Sequence, residues 1–226
     1  MLRNIFKKLR NKDAIKFITL HTAGNFLLIL GIYAAIATFG PAIFQEARYR
    51  VDNLMGVKYV AASANGFSKV KTFPNERILT APDPFFSVII PKIGAEAKII
   101  PNVDPNNESQ YIKALKEGIA HAKGSVFPGM KGTIFLFAHS TDTFWDTGRY
   151  NAIFYLLKDL KPGDKIIIFF KGQRYNYVVY DSKIVDPSQV DFLNNAQKNT
   201  NSTLIMQTCW PPGTTWKRLL VFAKPE

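Results

Sequence analysis

A single cysteine, Cys209, stands in 226 residues, and the stretch Thr203 to Val221 sets it between two strand-forming runs. A thiol attacks only as the thiolate, which needs positive charge or an imidazole nearby. The imidazoles on offer are His21, His121 and His139. His139 ends the apolar, β-favouring run Thr133 to Ala138 and precedes the turn-forming Ser140-Thr141-Asp142. Cys209 ends the similar run Thr203 to Thr208, and Trp210-Pro211-Pro212-Gly213 stops it, since proline lacks the ladder donor and glycine permits a turn. Nine residues on, Arg218 opens a further apolar run, Leu219 to Ala223, so its guanidinium lies beside the thiol if the two strands are neighbours. Two strands that each end on a reactive side chain make the pattern of a catalytic site.

Alternation along the strand gives Cys209 the same face as Ile205 and Gln207, with Leu204, Met206 and Thr208 on the other. A half-polar face suits a groove better than a core. A lone cysteine is more often a small buried hydrophobe; here its neighbours argue for reactivity. One cysteine also excludes an internal disulfide and any multi-cysteine zinc site.

These segments resemble the sortases, membrane-anchored cysteine transpeptidases. Phe137-Ala138-His139 is similar to the family's strand-ending Ala-Gly-His or Gly-His, Gln207-Thr208-Cys209 to its Thr-Leu-x-Thr-Cys, and Lys217-Arg218-Leu219-Leu220-Val221 to its Arg-Leu-Leu/Ile-Val. Ile90-Pro91-Lys92-Ile93-Gly94 resembles the first-strand signature. Gly118 to Ser125, followed by Pro128-Gly129, resembles the segment ahead of the catalytic histidine, and Leu160-Lys161-Pro162-Gly163-Asp164 the turn before a central strand. The resemblance covers roughly residues 87–224. Ile205-Met206 stands where Thr-Leu is usual, and Ser140 where an arginine commonly follows the histidine; neither change removes a catalytic group. The resemblance implies Cys209 as nucleophile forming a thioacyl intermediate, His139 as acid and base, and Arg218 as the cation on the substrate carbonyl or oxyanion. Thr208 is a candidate oxyanion contact through its backbone or hydroxyl, and equally a core residue. The implied partners are exported proteins carrying a C-terminal sorting signal and an amine acceptor, with no cofactor, metal or nucleic acid. A catalytically silent anchored binding module, and a cysteine endopeptidase on the same scaffold, are the alternatives.

Several short runs must position these groups. Ser87 to Pro91, Ala97 to Pro101, Thr133 to His139, Lys165 to Phe170, Arg174 to Asp181, Thr203 to Thr208 and Leu219 to Lys224 read as strands. Helices are expected from a cap at Asn107 or Ser109 through Lys116, and over Asn151 to Asp159 with Ile153, Phe154 and Leu157 on one stripe. The fold class is mainly β with a few short helices. Many short strands suggest a closed or nearly closed barrel, and the family's eight-stranded barrel is compatible with the seven strands read here.

Ahead of this domain, residues 1–16 hold Arg3, Lys7, Lys8, Arg10, Lys12 and Lys16 against Asp13 alone, and from Phe17 to Gln45 there is no charge. About 20 apolar residues span a bilayer, so 17–45 reads as a transmembrane helix with the basic tail cytoplasmic and the rest outside. A cleaved signal peptide ending near Ala35-Ile36-Ala37 is the competing reading. His21 and Asn25 fall in the span, as headgroup or helix contacts. Residues 46–84 lack periodicity and read as a stalk, and 85–226 as the catalytic domain. Much of the net charge of +12 is the tail, and the remainder suits an anionic envelope.

The remaining polar groups have simpler readings. His121 is expected to be structural, Asp142 and Asp146 to solvate a loop, and Asp83-Pro84-Phe85, similar to the lid tripeptide of pilus-building sortases, to turn before a strand. Asp104-Pro105-Asn106-Asn107-Glu108 offers oxygens to a calcium ion, but a helix-capping turn explains it more cheaply. Trp145, Trp210 and Trp216 lie near the site in sequence, as groove or core.

Overall fold

Runs such as Lys165-Ile166-Ile167-Ile168-Phe169-Phe170 are rich in β-branched and aromatic side chains, which fit a pleated surface buried on both sides, and they form the strands of a closed barrel. The computed structural model describes residues 2–62, 75–139, 151–189, 196–198, 200–212 and 214–226. Ser140, Asp142, Trp145, Asp146 and Gly213 lie outside the described residues.

The chain begins with α1 (Leu2–Leu54) and the short parallel pair β1 (Lys58–Ala61) and β2 (Glu76–Leu79). There follow β3 (Phe86–Ile90), β4 (Ala95–Val103), α2 (Glu108–Glu117), β5 (Ile119–Ala122), β6 (Thr133–Phe137), a 3-10 helix (Asn151–Asp159), β7 (Lys165–Phe170), β8 (Gln173–Val185), β9 (Thr203–Trp210) and β10 (Lys217–Pro225). The barrel runs β10-β8-β7-β3-β4-β5-β6-β9 and closes on β10, eight strands as expected. The seven strands read from sequence are all present. The eighth is β5, whose sequence Ile-Ala-His-Ala holds a single β-branched residue and which forms through its pairing with β4 and β6. The short piece Ile184-Val185 is the end of the long β8.

Two barrel contacts are parallel, β4 with β5 and β6 with β9. A parallel neighbour needs a crossover, which α2 supplies between β4 and β5. Asn107 starts that helix, its Oδ1 accepting from the Gln110 N–H at 3.1 Å. The parallel β6–β9 pair matters for function, because both strands end at the same rim of the barrel. Antiparallel partners then bring the start of β10 and the end of β8 to that rim. The interior is filled by Val88, Ile90, Ile99, Ile134, Leu136, Ile168, Leu204, Met206 and Val221 among others. The 3-10 helix replaces the α-helix expected over Asn151 to Asp159, and buries Phe154, Leu156 and Leu157.

Two units divide the chain at Gly40 and Pro41. In the first, residues Lys12–Ala37 form a helix long and apolar enough to cross a membrane. In the second, the segment read as a stalk carries the last turns of α1 and the β1–β2 pair, and these pack on the barrel. Leu79 covers Ile89, Ile167 and Phe169 on its outer face, with Tyr59 and Ala61 against them. The ring of Tyr59 lies over Gly94, where a Cβ would come within 2.7 Å and where φ is +60°. Asp52, 4 % exposed, accepts from the Tyr59 hydroxyl and from Arg77 Nη1 at 3.1 Å, with Arg48 Nε at 3.7 Å. Glu46 accepts from Lys158 Nζ of the 3-10 helix at 2.9 Å. That hydrogen bond holds the Glu46 carboxyl below its ordinary pKa, against a desolvation cost. Such polar anchors have no period of two or 3.6, which is why the sequence shows none here.

Asp83-Pro84-Phe85 is a turn: Asp83 Oδ1 accepts from the Phe85 N–H at 2.7 Å. The carbonyls of Pro84 and Phe85 accept from Gly172 and Lys171 at the β7–β8 hairpin. That hairpin lies at the barrel end opposite the rim where β6 and β9 finish. The tripeptide is therefore tied down away from Cys209.

Candidate active site

Cys209 is the penultimate residue of β9 and is directly paired with Arg218 of β10. On its other side β9 pairs in parallel with β6, from Thr133 with Thr203 to Phe137 with Gln207. The ladder extends through a hydrogen bond from the Ala138 N–H to the Gln207 carbonyl at 3.1 Å. Continuing that register by two residues brings His139 level with Cys209. The three residues picked out in the sequence thus occupy one level on three adjacent strand positions, with neighbouring strands about 4.8 Å apart. Val185 of β8 lies on the far side of Arg218 in the same row.

Face assignment follows alternation. Leu204 and Met206 point into the barrel, while Ile205 joins Phe135, Leu220 and Phe222 in an outer cluster. Cys209, on the Ile205 side, is partly buried, as are His139 and Arg218. The site is therefore a rim site on the outer face of the barrel, floored by apolar side chains.

Burial pushes the Cys209 thiol above its ordinary pKa, and the Arg218 guanidinium pulls the other way. Burial thus favours the neutral thiol and the guanidinium favours the thiolate. Arg218 is held by its own loop: Nη1 donates to the carbonyls of Thr215 at 3.0 Å and Lys217 at 3.1 Å. Anchoring one nitrogen of a planar fork fixes the direction of the others. These two carbonyls are contacts of the candidate site that sequence reasoning missed, since backbone acceptors carry no residue signature. Lys217 pairs with Trp210 on the alternate face and its Nζ lies 3.5 Å from Asp186 Oδ1.

Thr208 is 2 % exposed and alternates with Cys209, so its hydroxyl faces the interior; among the described residues Oγ1 has no hydrogen-bond partner. Its side chain belongs to the core, which leaves only the backbone for an oxyanion. Trp210 packs partly buried against the core, and Trp216 is exposed beside Lys217. Asp104 Oδ1 accepts from the Asn106 N–H at 3.0 Å and its Oδ2 lies 3.5 Å from Lys123 Nζ, so that carboxylate belongs to a capping turn.

His121 is fully buried in β5, away from the thiol. Nδ1 accepts from the Asn102 N–H at 3.3 Å, Nε2 lies 3.1 Å from the Val126 carbonyl and 3.0 Å from Ser125 Oγ, and the ring stacks on Phe127 at 4.5 Å. An acceptor at Nδ1 and a donor at Nε2 define the neutral imidazole. Burial lowers its pKa, opposed by the Val126 hydrogen bond. A folded-state pKa below the unfolded one makes the unfolded chain bind the extra proton first. Stability is then full above about pH 6.5 and falls as pH drops toward the folded value, by up to about 1.4 kcal/mol per unit. The expected result is a melting temperature that declines below pH 6.5 in the parent and runs flatter, though lower throughout, in His121→Gln. Equal slopes in the two proteins would assign the acid sensitivity elsewhere.

A family model for the sortase domain matches residues 88–226. Sortase D of Bacillus subtilis is 28% identical over 138 residues, 60% of this chain and 60% of that protein. Sortase A of Streptococcus agalactiae is 28% identical over 163 residues, 71% of this chain and 62% of that protein. The chain thus spans about 60% of the length of these curated relatives. Among solved structures, the complex of Streptococcus agalactiae sortase C1 and MTSET superposes with a TM-score of 0.52 at 25% identity, covering 62% of this chain and 66% of that one. The matched segment runs from within β3 through β10 and includes the row that holds His139, Cys209 and Arg218, and on that match the chain belongs to the sortase family.

Proposed function

We propose that this chain is a membrane-anchored cysteine transpeptidase that cleaves a C-terminal sorting signal of exported proteins. It passes the acyl group to an amine on the cell envelope or on another protein. The observation that carries the reading is the single register row of His139, Cys209 and Arg218 across β6, β9 and β10. In the forward half-reaction His139 takes the Cys209 proton, the sulfur attacks the scissile carbonyl, and the oxyanion forms beside Arg218. Collapse breaks the C–N bond as the imidazolium gives its proton to the leaving amine, leaving a thioester on Cys209. In the second half His139 accepts a proton from the incoming amine, which displaces the sulfur and regenerates the thiol. Partial burial of Cys209 supports this order, because it favours the neutral thiol that His139 then deprotonates.

The division of the chain follows: a cytoplasmic basic tail over 1–16, a membrane helix within 17–45, a connecting segment over 46–84, and an extracytoplasmic catalytic domain from 85 onward. The basic tail beside an apolar helix supports that orientation.

Intact-mass spectrometry of the full chain in detergent tests the reading, with a library of sorting-signal-like peptides and triglycine as amine. The expected result is a thioacyl adduct on the parent, absent in Cys209→Ala, together with an amine-ligated product. Hydrolysed peptide without ligation would assign an endopeptidase. Folded protein that alkylates at Cys209 yet forms no adduct with any peptide would overturn the proposal in favour of a binding module.

A further inference from the structure

The last turns of α1 have two faces, and only one is used by the barrel. Gln45, Glu46, Tyr49 and Asp52 are the buried or half-buried positions, and they supply the contacts to Lys158, Arg77 and the core. At 100° per residue these four span one arc of the helix. Ile43, Phe44, Ala47, Val51 and Leu54 fall within a second arc, about 100° wide, centred opposite the first. Ile43 is 64 % exposed, Phe44 65 %, Val51 50 % and Leu54 87 %. Arg50 borders this stripe on one side and Arg48 on the other, and both guanidiniums reach solvent while pairing back to Glu46 and Asp52.

An apolar arc flanked on both sides by arginines is the pattern of a helix lying in a membrane interface, with its apolar side in the acyl boundary and its cations among anionic headgroups. The position along the chain agrees. Ile43 comes six residues after Ala37, where the apolar span ends. Six residues reach at most about 20 Å fully extended, so the stripe begins near the membrane surface. Pro41 has no N–H to donate to the carbonyl four residues earlier, so α1 lacks one helical hydrogen bond just before this segment.

We infer that residues 43–54 form an interfacial helix that holds the barrel against the outer leaflet, with Ile43, Phe44, Ala47, Val51 and Leu54 in anionic lipid and Arg48 and Arg50 on its headgroups. This rests on the reading of a membrane span within residues 17–45, the candidate window of which ends at Ala37. The barrel then works at a fixed height and orientation above the bilayer, because the opposite face of the same helix is bolted to Lys158 and Arg77.

The test uses the full chain carrying Cys209→Ala, reconstituted in vesicles of phosphatidylcholine and phosphatidylglycerol. A single thiol is introduced by Val51→Cys, and by Lys171→Cys as a solvent reference, each labelled with an environment-sensitive fluorophore. The expected result is at least a twofold loss of emission at position 51 with nitroxide lipids labelled near the headgroup, and none at position 171. Emission at 51 as unquenched as at 171, from protein that stays with the vesicles through an alkaline carbonate wash, overturns the inference while leaving the span intact. Release by that wash overturns the span itself and the inference with it. Disulfide formation between copies at position 51 that persists on lipid dilution would place a second copy on the stripe and also overturn it.

Discussion

Arg218→Lys lowers kcat/KM for peptide ligation by about 10²-fold or more while the protein still folds and still carries a thiol that can be alkylated. The size is that of removing one preorganised oxyanion donor, about 10² to 10³ in rate. Lysine keeps the charge, so a purely Coulombic role would survive the change. The geometry predicts otherwise. Arg218 uses Nη1 to hold the carbonyls of Thr215 and Lys217, and only a planar fork leaves further donors fixed in direction once one nitrogen is committed. An ammonium that bonds those carbonyls has nothing rigid left to offer the row that contains Cys209. Because the guanidinium also opposes the burial that raises the thiol pKa, Arg218→Ala adds a second effect, slower alkylation of Cys209 at a given pH. The measurement is kcat and KM separately for parent, Arg218→Lys and Arg218→Ala, with an iodoacetamide rate profile against pH. A fall confined to kcat/KM through KM would make Arg218 a ground-state substrate contact; activity within twofold of the parent in Arg218→Lys would leave the fork without a role.

The register row of the candidate site was legible because chemistry-bearing residues were placed at strand ends. Apolar runs that stop on His139 and Cys209, and one that starts at Arg218, need only the correct strand neighbours to form a row, and the family resemblance supplied that order. Alternation also sorted the faces around Cys209 correctly, since Leu204 and Met206 fill the interior and Ile205 does not. It could not decide Thr208, whose even position made it core or contact alike; the buried hydroxyl assigns the side chain to the core. What stayed hidden has no periodic signature. β5 is Ile-Ala-His-Ala, a poor strand by propensity that is held by partners on both sides. The brace formed by the end of α1 with β1 and β2 depends on Asp52, Tyr59, Arg77 and Glu46, polar residues that read as solvent-facing until a partner far along the chain is known. The carbonyls that fix Arg218 belong to the backbone, and every residue has one.

The junction ahead of β5 is where one methyl group has the largest expected effect on the fold. Gly118→Ala is expected to cost roughly 3 kcal/mol, at or above the upper end of ordinary overpacking. A Cβ at this position would lie 2.4 Å from the Lys98 carbonyl oxygen, which is β4 backbone and cannot swing aside as a side-chain tip could. Gly118 is also the cap of α2, its N–H donating to the Ala114 carbonyl, and the next residue, Ile119, pairs with Ile99 of β4. The chain therefore leaves the helix and enters a parallel ladder within one residue, with no length in which to move away. Its φ of 168° is extended, so the requirement for glycine is the close approach and not a left-handed backbone. Relieving the clash means parting β4 from β5, and that opens the barrel at one of its two parallel seams. His121 sits on the same strand, so its hydrogen bonds to Asn102 and Val126 would loosen together with the seam. Thermal unfolding of the full chain in detergent, followed by near-ultraviolet circular dichroism, reads the cost as a melting temperature lowered by roughly 10 °C. Gly124→Ala is the matched control: φ there is +89°, which any side chain strains, but no atom lies within 4 Å. A loss at Gly118 no larger than at Gly124 would mean that β4 yields easily, and that the parallel seam is not held by the fit of strand to helix cap.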